Sequence, residues 1–344
     1  MKAAILVEQK KLLVIDKVEI PILEYGQVLV KVVCSGICGS QIGEIDGAKG
    51  PDKFLPHLLG HEGAGVVLEI GPGVTKVKKD DHVVLHWRKG IGIESPTPRY
   101  KWGNKFVNAG WVTTFNEYAV VSENRLTPIS DEIDFEVASL MGCAITTGFG
   151  VVNNNARVKI GESVVVFGAG GTGISIILGA SLVSANPIIA VDIYREKLEF
   201  AKRFGATHLI DAKEKDIKEE IFKIVGKEGV NVVIDTTGIA RVIEEAYEVT
   251  SAIGRTILVG VPPLGEKIKI YSLPLHFDKI LTGSHGGEAN PTTDIPKYLN
   301  LYKKECLKLK EIITDQFMLE EINTAIKELR EGKILGRCII RMGQ

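Results

Sequence analysis

The sequence predicts an α/β chain of two domains, one β-rich and one built on a doubly wound parallel sheet. Three observations predict it. The length, 344 residues, is a prior of two domains at about 150 residues each. Up to about residue 130, short β-like runs are separated by Gly, Pro and Asp turns, with no long helix between them. From about 145, strand-length and helix-length segments alternate, the rhythm of a parallel sheet with helices on its faces.

The β-like runs of the first part are Ala3–Val7, Leu12–Val18, Val28–Val33, Gly65–Ile70 and His82–Leu85. They suggest a barrel-like or partly open β domain. In the second part Val164–Phe167 precedes a helix-length segment, and Ile188–Val191 reads as the next strand. Arg195–Phe204 is a charged amphipathic helix, and further strands fall at His208–Ile210, Val230–Asp235 and Arg255–Val259. After about 286 the pattern turns helical and charged, ending in a β-like Arg337–Arg341.

Composition excludes several classes. Forty-two basic residues against 43 acidic ones leave a net charge of −1, which argues against a dedicated nucleic-acid binder. A hydrophobic share of 45% excludes a disordered chain. Ser163–Val191 carries no charge over 29 residues, long enough to span a membrane. Glycines 168, 170, 171, 173 and 179 and Asn186-Pro187 break it, however, so it reads as strand, turn, helix and strand. Charges arrive by Glu8 and Lys10, too soon for a signal-peptide core. Five scattered cysteines, at 34, 38, 143, 306 and 338, favour free or metal-bound thiols in a reducing compartment, the cytoplasm. Glycine is in surplus: 37 residues, where a share of about 7% gives roughly 24.

Part of that surplus is Gly168-Ala169-Gly170-Gly171-Thr172-Gly173, a G-x-G-x-x-G run directly after an apolar strand. The first glycine permits the tight turn, and the second admits a pyrophosphate. The third, Gly173, lets the helix close on the strand. Asp192, nineteen residues past Gly173, ends the next strand, placed to accept the adenosine ribose hydroxyls and to repel a 2′-phosphate. The cofactor is therefore expected to be NAD rather than NADP, with Arg195 nearby as the opposing sign.

Three positions in the first part suit a metal: Cys38, His61 and Cys143. Two thiolates and an imidazole cancel the charge of Zn²⁺ and leave a fourth position open. Spacing alone does not decide the matter, since a buried Cys is often only a small hydrophobe, the reading given to Cys34, Cys306 and Cys338.

The motifs Gly36-Ile37-Cys38-Gly39-Ser40, Gly60-His61-Glu62-Gly63-Ala64-Gly65 and Gly142-Cys143-Ala144-Ile145-Thr146-Thr147-Gly148-Phe149-Gly150 together resemble the zinc-dependent alcohol dehydrogenases of the medium-chain dehydrogenase/reductase superfamily. Gly168–Gly173, Asp192, Val259-Gly260-Val261-Pro262-Pro263 and Gly332…Arg337 follow in the same order, so the resemblance covers essentially the whole chain. It implies a GroES-like catalytic domain over 1–145 and 286–344, interrupted by a Rossmann NAD-binding domain over 146–285. It implies that Cys38, His61 and Cys143 hold one catalytic zinc, with Glu62 a carboxylate close behind it. By the same resemblance Ser40 takes the alcohol proton, and Thr147 and Val259 press on the nicotinamide. Lys197 would reach the adenosine ribose and Arg337 the pyrophosphate. The assembly implied is a homodimer or homotetramer joined through the nucleotide domain, with no nucleic acid or membrane partner.

The chain departs from that family pattern in three places. Residues Trp87 to Trp111 have no cysteine where many relatives bind a structural zinc, so none is expected and the loop must be held otherwise. Gln41 replaces the Asp that orients the zinc-bound His, and Gly43 replaces the His that passes the proton to solvent. Within the loop, Arg88, Lys89, Arg99, Lys101 and Lys105 face only Glu94. This is read either as a solvated surface or as a hold for an anionic substrate such as a phosphorylated or nucleotide-linked sugar alcohol. Trp87 and Trp111 flank it, at positions resembling the family's substrate channel. The activity expected is hydride transfer between a primary or secondary alcohol and NAD. The alternatives are a polyol or sugar dehydrogenase of the same superfamily, and a nucleotide-binding protein that has lost catalysis.

Overall fold

A computed structural model describes residues 1–343. The chain divides into two units, Met1–Cys143 continued from Asn290 onward, and Ala144–Ala289 between them.

The first unit opens with strands β1 (Lys2–Leu6), β2 (Val14–Lys17) and β3 (Gln27–Gly36), then helix α1 (Gly39–Asp46). Strands β4 (His57–Leu58), β5 (Glu62–Ile70), β6 (His82–His86), β7 (Arg99–Trp102) and β8 (Lys105–Asn108) follow. Next come β9 (Tyr118–Ser122), β10 (Leu126–Ile129) and the short helix α2 (Phe135–Leu140).

The middle unit runs α3 (Ala144–Gly150), β11 (Val164–Phe167), α4 (Gly171–Leu182), β12 (Ile188–Asp192), α5 (Arg195–Lys202) and β13 (His208–Asp211). It continues with α6 (Ile217–Val225), β14 (Val230–Asp235), α7 (Ala240–Val249), β15 (Thr250–Leu258) and β16 (Ile280–Gly283). The chain then returns to the first unit with α8 (Pro291–Lys303), β17 (Ile313–Met318), α9 (Ile322–Arg330) and β18 (Arg337–Arg341).

The first unit holds two sheets. One has the order β2-β1-β4-β8-β7, and the other β10-β6-β5-β3-β18-β17 with β9 also on β3. Strand β3 is its spine: Val28, Val30 and Val32 point inward at period two and pack with Val67, Val83, Leu85 and Ile340. Each fully buried side chain of that size contributes roughly 1.5–3 kcal/mol, so the register of β3 is strongly fixed. That register matters because β3 delivers the chain, through buried Ser35 and Ile37, to Cys38 at the start of α1.

The middle unit is one sheet of six parallel strands, ordered β13-β12-β11-β14-β15-β16. The chain enters at β11, works outward to β13, then crosses to β14. The order therefore reverses between β11 and β14, the crevice where open α/β sheets bind ligands. Strand β11 is buried along its whole length, as expected of a strand covered on both faces. The charge-free stretch 163–191 resolves into β11, α4 and β12, and no helix among the described residues is long and apolar enough to cross a membrane. The α/β class expected from the sequence holds. Among the differences, β15 starts at Thr250, five residues before the apolar run, and strand β17 lies within the tail whose pattern is helical and charged. The exposure of β17 alternates residue by residue along Ile-Thr-Asp-Gln-Phe-Met, a half-solvated edge strand with too few apolar residues to stand out.

Candidate metal centre and nucleotide loop

The ligand atoms of Cys38, His61 and Cys143 lie within 4.8 Å of one another, the only such group of three or more His, Cys, Asp or Glu among the described residues. Three separate segments bring them there. Cys38 is the N-cap of α1, His61 sits in the short connection between β4 and β5, and Cys143 follows Gly142 after α2. Gly142 is needed for the approach: a Cβ there would stand 2.4 Å from the Leu85 carbonyl oxygen and 2.7 Å from Glu62 Cα.

Two polar atoms at this place are buried with no protein partner, His61 Nε2 and Ser40 Oγ. Leaving a buried polar atom unsatisfied costs about 1–3 kcal/mol, so natural chains do it chiefly where something else completes the contact. His61 Nδ1 is taken by the Gln41 amide at 2.7 Å, which leaves Nε2 as the free ligand atom. The Cys143 thiol beside it holds Cys38 well below the usual thiol range, and His61 and the charge of Arg337 act in the same direction against burial. Two thiol groups and one imidazole nitrogen converging in this way fit a tetrahedral zinc with one position left open.

Beside these three residues, Glu62 is fully buried at the start of β5 and forms an ion pair with Arg337 at the start of β18. Arg337, the residue expected on the pyrophosphate, is thus one member of this pair, and its Nε has no protein partner. The Trp87 ring stands edge-on to His61, with centroids 6.4 Å apart.

The cysteine-free stretch is held by a residue the sequence did not single out, Arg125. It donates to the Trp87 carbonyl, pairs with Glu94 at 2.6 Å and lies 4.9 Å over the Trp111 ring. The one acid of a basic loop was the available signal, because a lone carboxylate there needs a cation. Four of the five basic residues have neighbours of their own. Lys89 pairs with Glu94 at 3.5 Å and Lys101 with Glu19 at 3.1 Å. Arg99 lies 4.8 Å over Phe106, and Arg88 lies 5.9 Å over Trp87. Tyr100 anchors the β7–β8 hairpin from inside, its hydroxyl accepting from the Val120 N–H at 2.8 Å.

In the middle unit the glycine loop joins β11 to α4. Gly168 takes φ +90°, a value that penalises any side chain, and a Cβ on Gly173 would stand 1.9 Å from the Gly168 carbonyl oxygen. Gly170 caps α4, with Gly171 and Thr172 in its first turn. Asp192 closes the loop from β12: Oδ2 accepts from the Ala169 N–H at 2.7 Å and Oδ1 from Tyr194 at 3.0 Å. Lys197 lies 4.9 Å over the Tyr194 ring, which also carries Lys213 at 4.8 Å. Thr147 is buried on α3, and the Val259 N–H bonds the Asp235 carbonyl at 2.8 Å.

Fold and site together define a zinc-binding dehydrogenase with a GroES-like domain, and comparison with known proteins agrees. Residues 24–131 match the alcohol dehydrogenase GroES-like domain and residues 171–304 the zinc-binding dehydrogenase domain. The class-3 alcohol dehydrogenase of Cereibacter sphaeroides is 32% identical over 98% of this chain and 99% of its own. An S-(hydroxymethyl)glutathione dehydrogenase of Escherichia coli is 32% identical over 99% of both chains. Among solved structures, benzyl alcohol dehydrogenase from Acinetobacter calcoaceticus superposes with a TM-score of 0.90 at 28% identity, covering 99% of each chain. The chain belongs to the zinc-dependent alcohol dehydrogenases of the medium-chain dehydrogenase/reductase superfamily. It is an oxidoreductase of that class, working between an alcohol and NAD with zinc.

Proposed function

We propose a single-zinc alcohol dehydrogenase of the cytoplasm, with Cys38, His61 and Cys143 as the three protein ligands. The observation that carries this reading is the unpartnered, buried His61 Nε2 within reach of two thiol groups. Zinc bound there would act as a Lewis acid on the alcohol oxygen. Ser40, whose buried hydroxyl has no protein partner, would accept the alcohol proton. Glu62, neutralised by Arg337, would keep a carboxylate close to the ligands without adding net charge. Asp192 would receive the adenosine ribose hydroxyls of NAD, and Gly168, Gly170, Gly171, Thr172 and Gly173 would face the pyrophosphate. Thr147, Val259 and Lys197 would line the cofactor.

No structural zinc belongs to this reading. Residues 87–111 lack cysteine and have the Arg125–Glu94 contact instead. The substrate is a primary or secondary alcohol. An anionic substrate gains no support from the loop, because Lys89 and Lys101 already face acids. The assembly proposed is a dimer or tetramer. Strand β16 ends the parallel sheet with a free edge, and Tyr271 and Phe277 are exposed near it, which supports a joint through this unit.

Metal analysis tests the proposal together with a screen of alcohols, polyols and sugar nucleotides for NAD reduction. About one zinc per chain and turnover of an uncharged alcohol are expected. Two zincs would remove the single-site reading, and none would remove the ligand assignment.

A further inference from the structure

We propose that Gln41 is a positioning residue that limits how firmly His61 can hold the metal, because one amide is asked to serve two N–H groups at once. The inference rests on the reading of Cys38, His61 and Cys143 as ligands. Gln41 is buried, the third residue of α1 counted from its Cys38 cap. Its Oε1 accepts the Cys38 N–H at 2.7 Å, the returning arm of a capping box that starts the helix. Its Nε2 lies 2.7 Å from His61 Nδ1.

An amide has one accepting end and one donating end. With Oε1 on the helix cap, the amide N–H points at Nδ1, which must answer with a lone pair. A neutral imidazole with its lone pair on Nδ1 carries its hydrogen on Nε2. Yet Nε2 is the atom left for the metal, and a ligating nitrogen must offer a lone pair. Turning the amide over does not resolve the conflict. Oε1 would then accept from Nδ1–H, but the amide nitrogen would meet the Cys38 N–H, donor against donor, and the cap would lose its acceptor.

The conflict follows from the heavy-atom positions and does not depend on which way the amide is drawn. A carboxylate of the same length escapes it, since its two oxygens accept both N–H groups and still satisfy the capping box. Gln41→Glu is therefore the matched variant.

Two measurements on the full chain test the proposal. Zinc-loaded protein is mixed with excess chromogenic chelator and the rate of zinc release is followed. Gln41→Glu is expected to release zinc at least about tenfold more slowly than the native chain, the scale on which partners of metal ligands act. Metal-free protein labelled with ¹⁵N-histidine then reports the tautomer, with His61 assigned by its loss in His61→Gln. The hydrogen is expected on Nε2 in the native chain and on Nδ1 in Gln41→Glu. Equal release rates overturn the proposal, as does a native His61 with its hydrogen on Nδ1. Slower release with an unchanged tautomer assigns the effect to added charge and overturns it as well. Should the native chain bind no zinc, the ligand assignment fails, while the tautomer comparison still decides the role of Gln41. Gln41→Asp repeats both measurements should the longer variant not fold.

Discussion

Arg125 pairs with Glu94 at 2.6 Å while its guanidinium lies 4.9 Å over the Trp111 ring, so one buried cation ties both flanks of the cysteine-free loop. Removing it leaves Glu94 and the Trp87 carbonyl without their shared donor. Arg125→Ala is expected to lower stability by about 1–3 kcal/mol. Denaturant titration measures this, and proteolysis should become faster within residues 87–111. A chelator should not reproduce that change in the native chain. Chelator-induced cleavage there would mean a metal holds the loop.

Cys143→Ser removes one of three ligands and leaves the middle unit untouched. Zinc content should fall from about one per chain toward zero, and turnover should drop at least about a hundredfold. NAD binding, followed by fluorescence titration, should stay within about threefold of the native value. Full activity in this variant would overturn the ligand assignment.

The Asp192 carboxylate accepts a hydrogen bond from the glycine loop's backbone at Ala169. Asp192→Gly removes its negative charge and should raise the ratio of NADP to NAD activity at least about tenfold. Some loss of NAD affinity should accompany it, because the loop also loses the Ala169 contact. An unchanged kcat/KM ratio for the two cofactors would separate Asp192 from the ribose.

His86 gives the protein an acid-sensitive core. Its ring is buried on β6 between the Arg88 carbonyl and the Thr127 hydroxyl, and burial lowers its pKa from 6.5 to about 3. The unfolded chain takes up this proton near pH 6.5 and the folded chain does not. The stabilisation is thus complete above pH 6.5 and is lost as the pH falls toward 3. In metal-free protein, His86→Gln should flatten the decline of stability between pH 6.5 and 4.5, by up to about 1.4 kcal/mol per pH unit. Equal slopes for the two proteins would assign the acid sensitivity to other groups.

The sequence displayed the central strands of the two larger sheets well because they are short and largely apolar runs. Val164–Phe167, Val230–Asp235 and Arg337–Arg341 begin and end where the residue pattern changes. It displayed β17 poorly, since an edge strand of Ile-Thr-Asp-Gln-Phe-Met offers no apolar run. At the site, residue types pointed to Cys38, His61 and Cys143 only when the motif order was added, and their approach in space was invisible in spacings of 23 and 82 residues. The contacts that went unseen, Arg337 to Glu62 and Arg125 to Glu94, join charges 275 and 31 residues apart. Pairings of that kind follow from how distant segments meet in the folded unit, and no local pattern encodes them.

The pairing of β18 with β3 also sets an order of events during synthesis. Strand β3 ends two residues before Cys38, yet its neighbour in the sheet is the segment 337–341, which also carries the arginine on Glu62. The segments that carry Cys38, His61 and Cys143 therefore leave the ribosome long before the strand that completes their sheet, whereas residues 144–289 form an uninterrupted stretch in the interval. Until β18 arrives, the Cys34–Gly36 end of β3 has an open flank and Glu62 lacks its counter-charge. A nascent chain would thus be most exposed to stray metals and to strand mispairing while the nucleotide unit is being made.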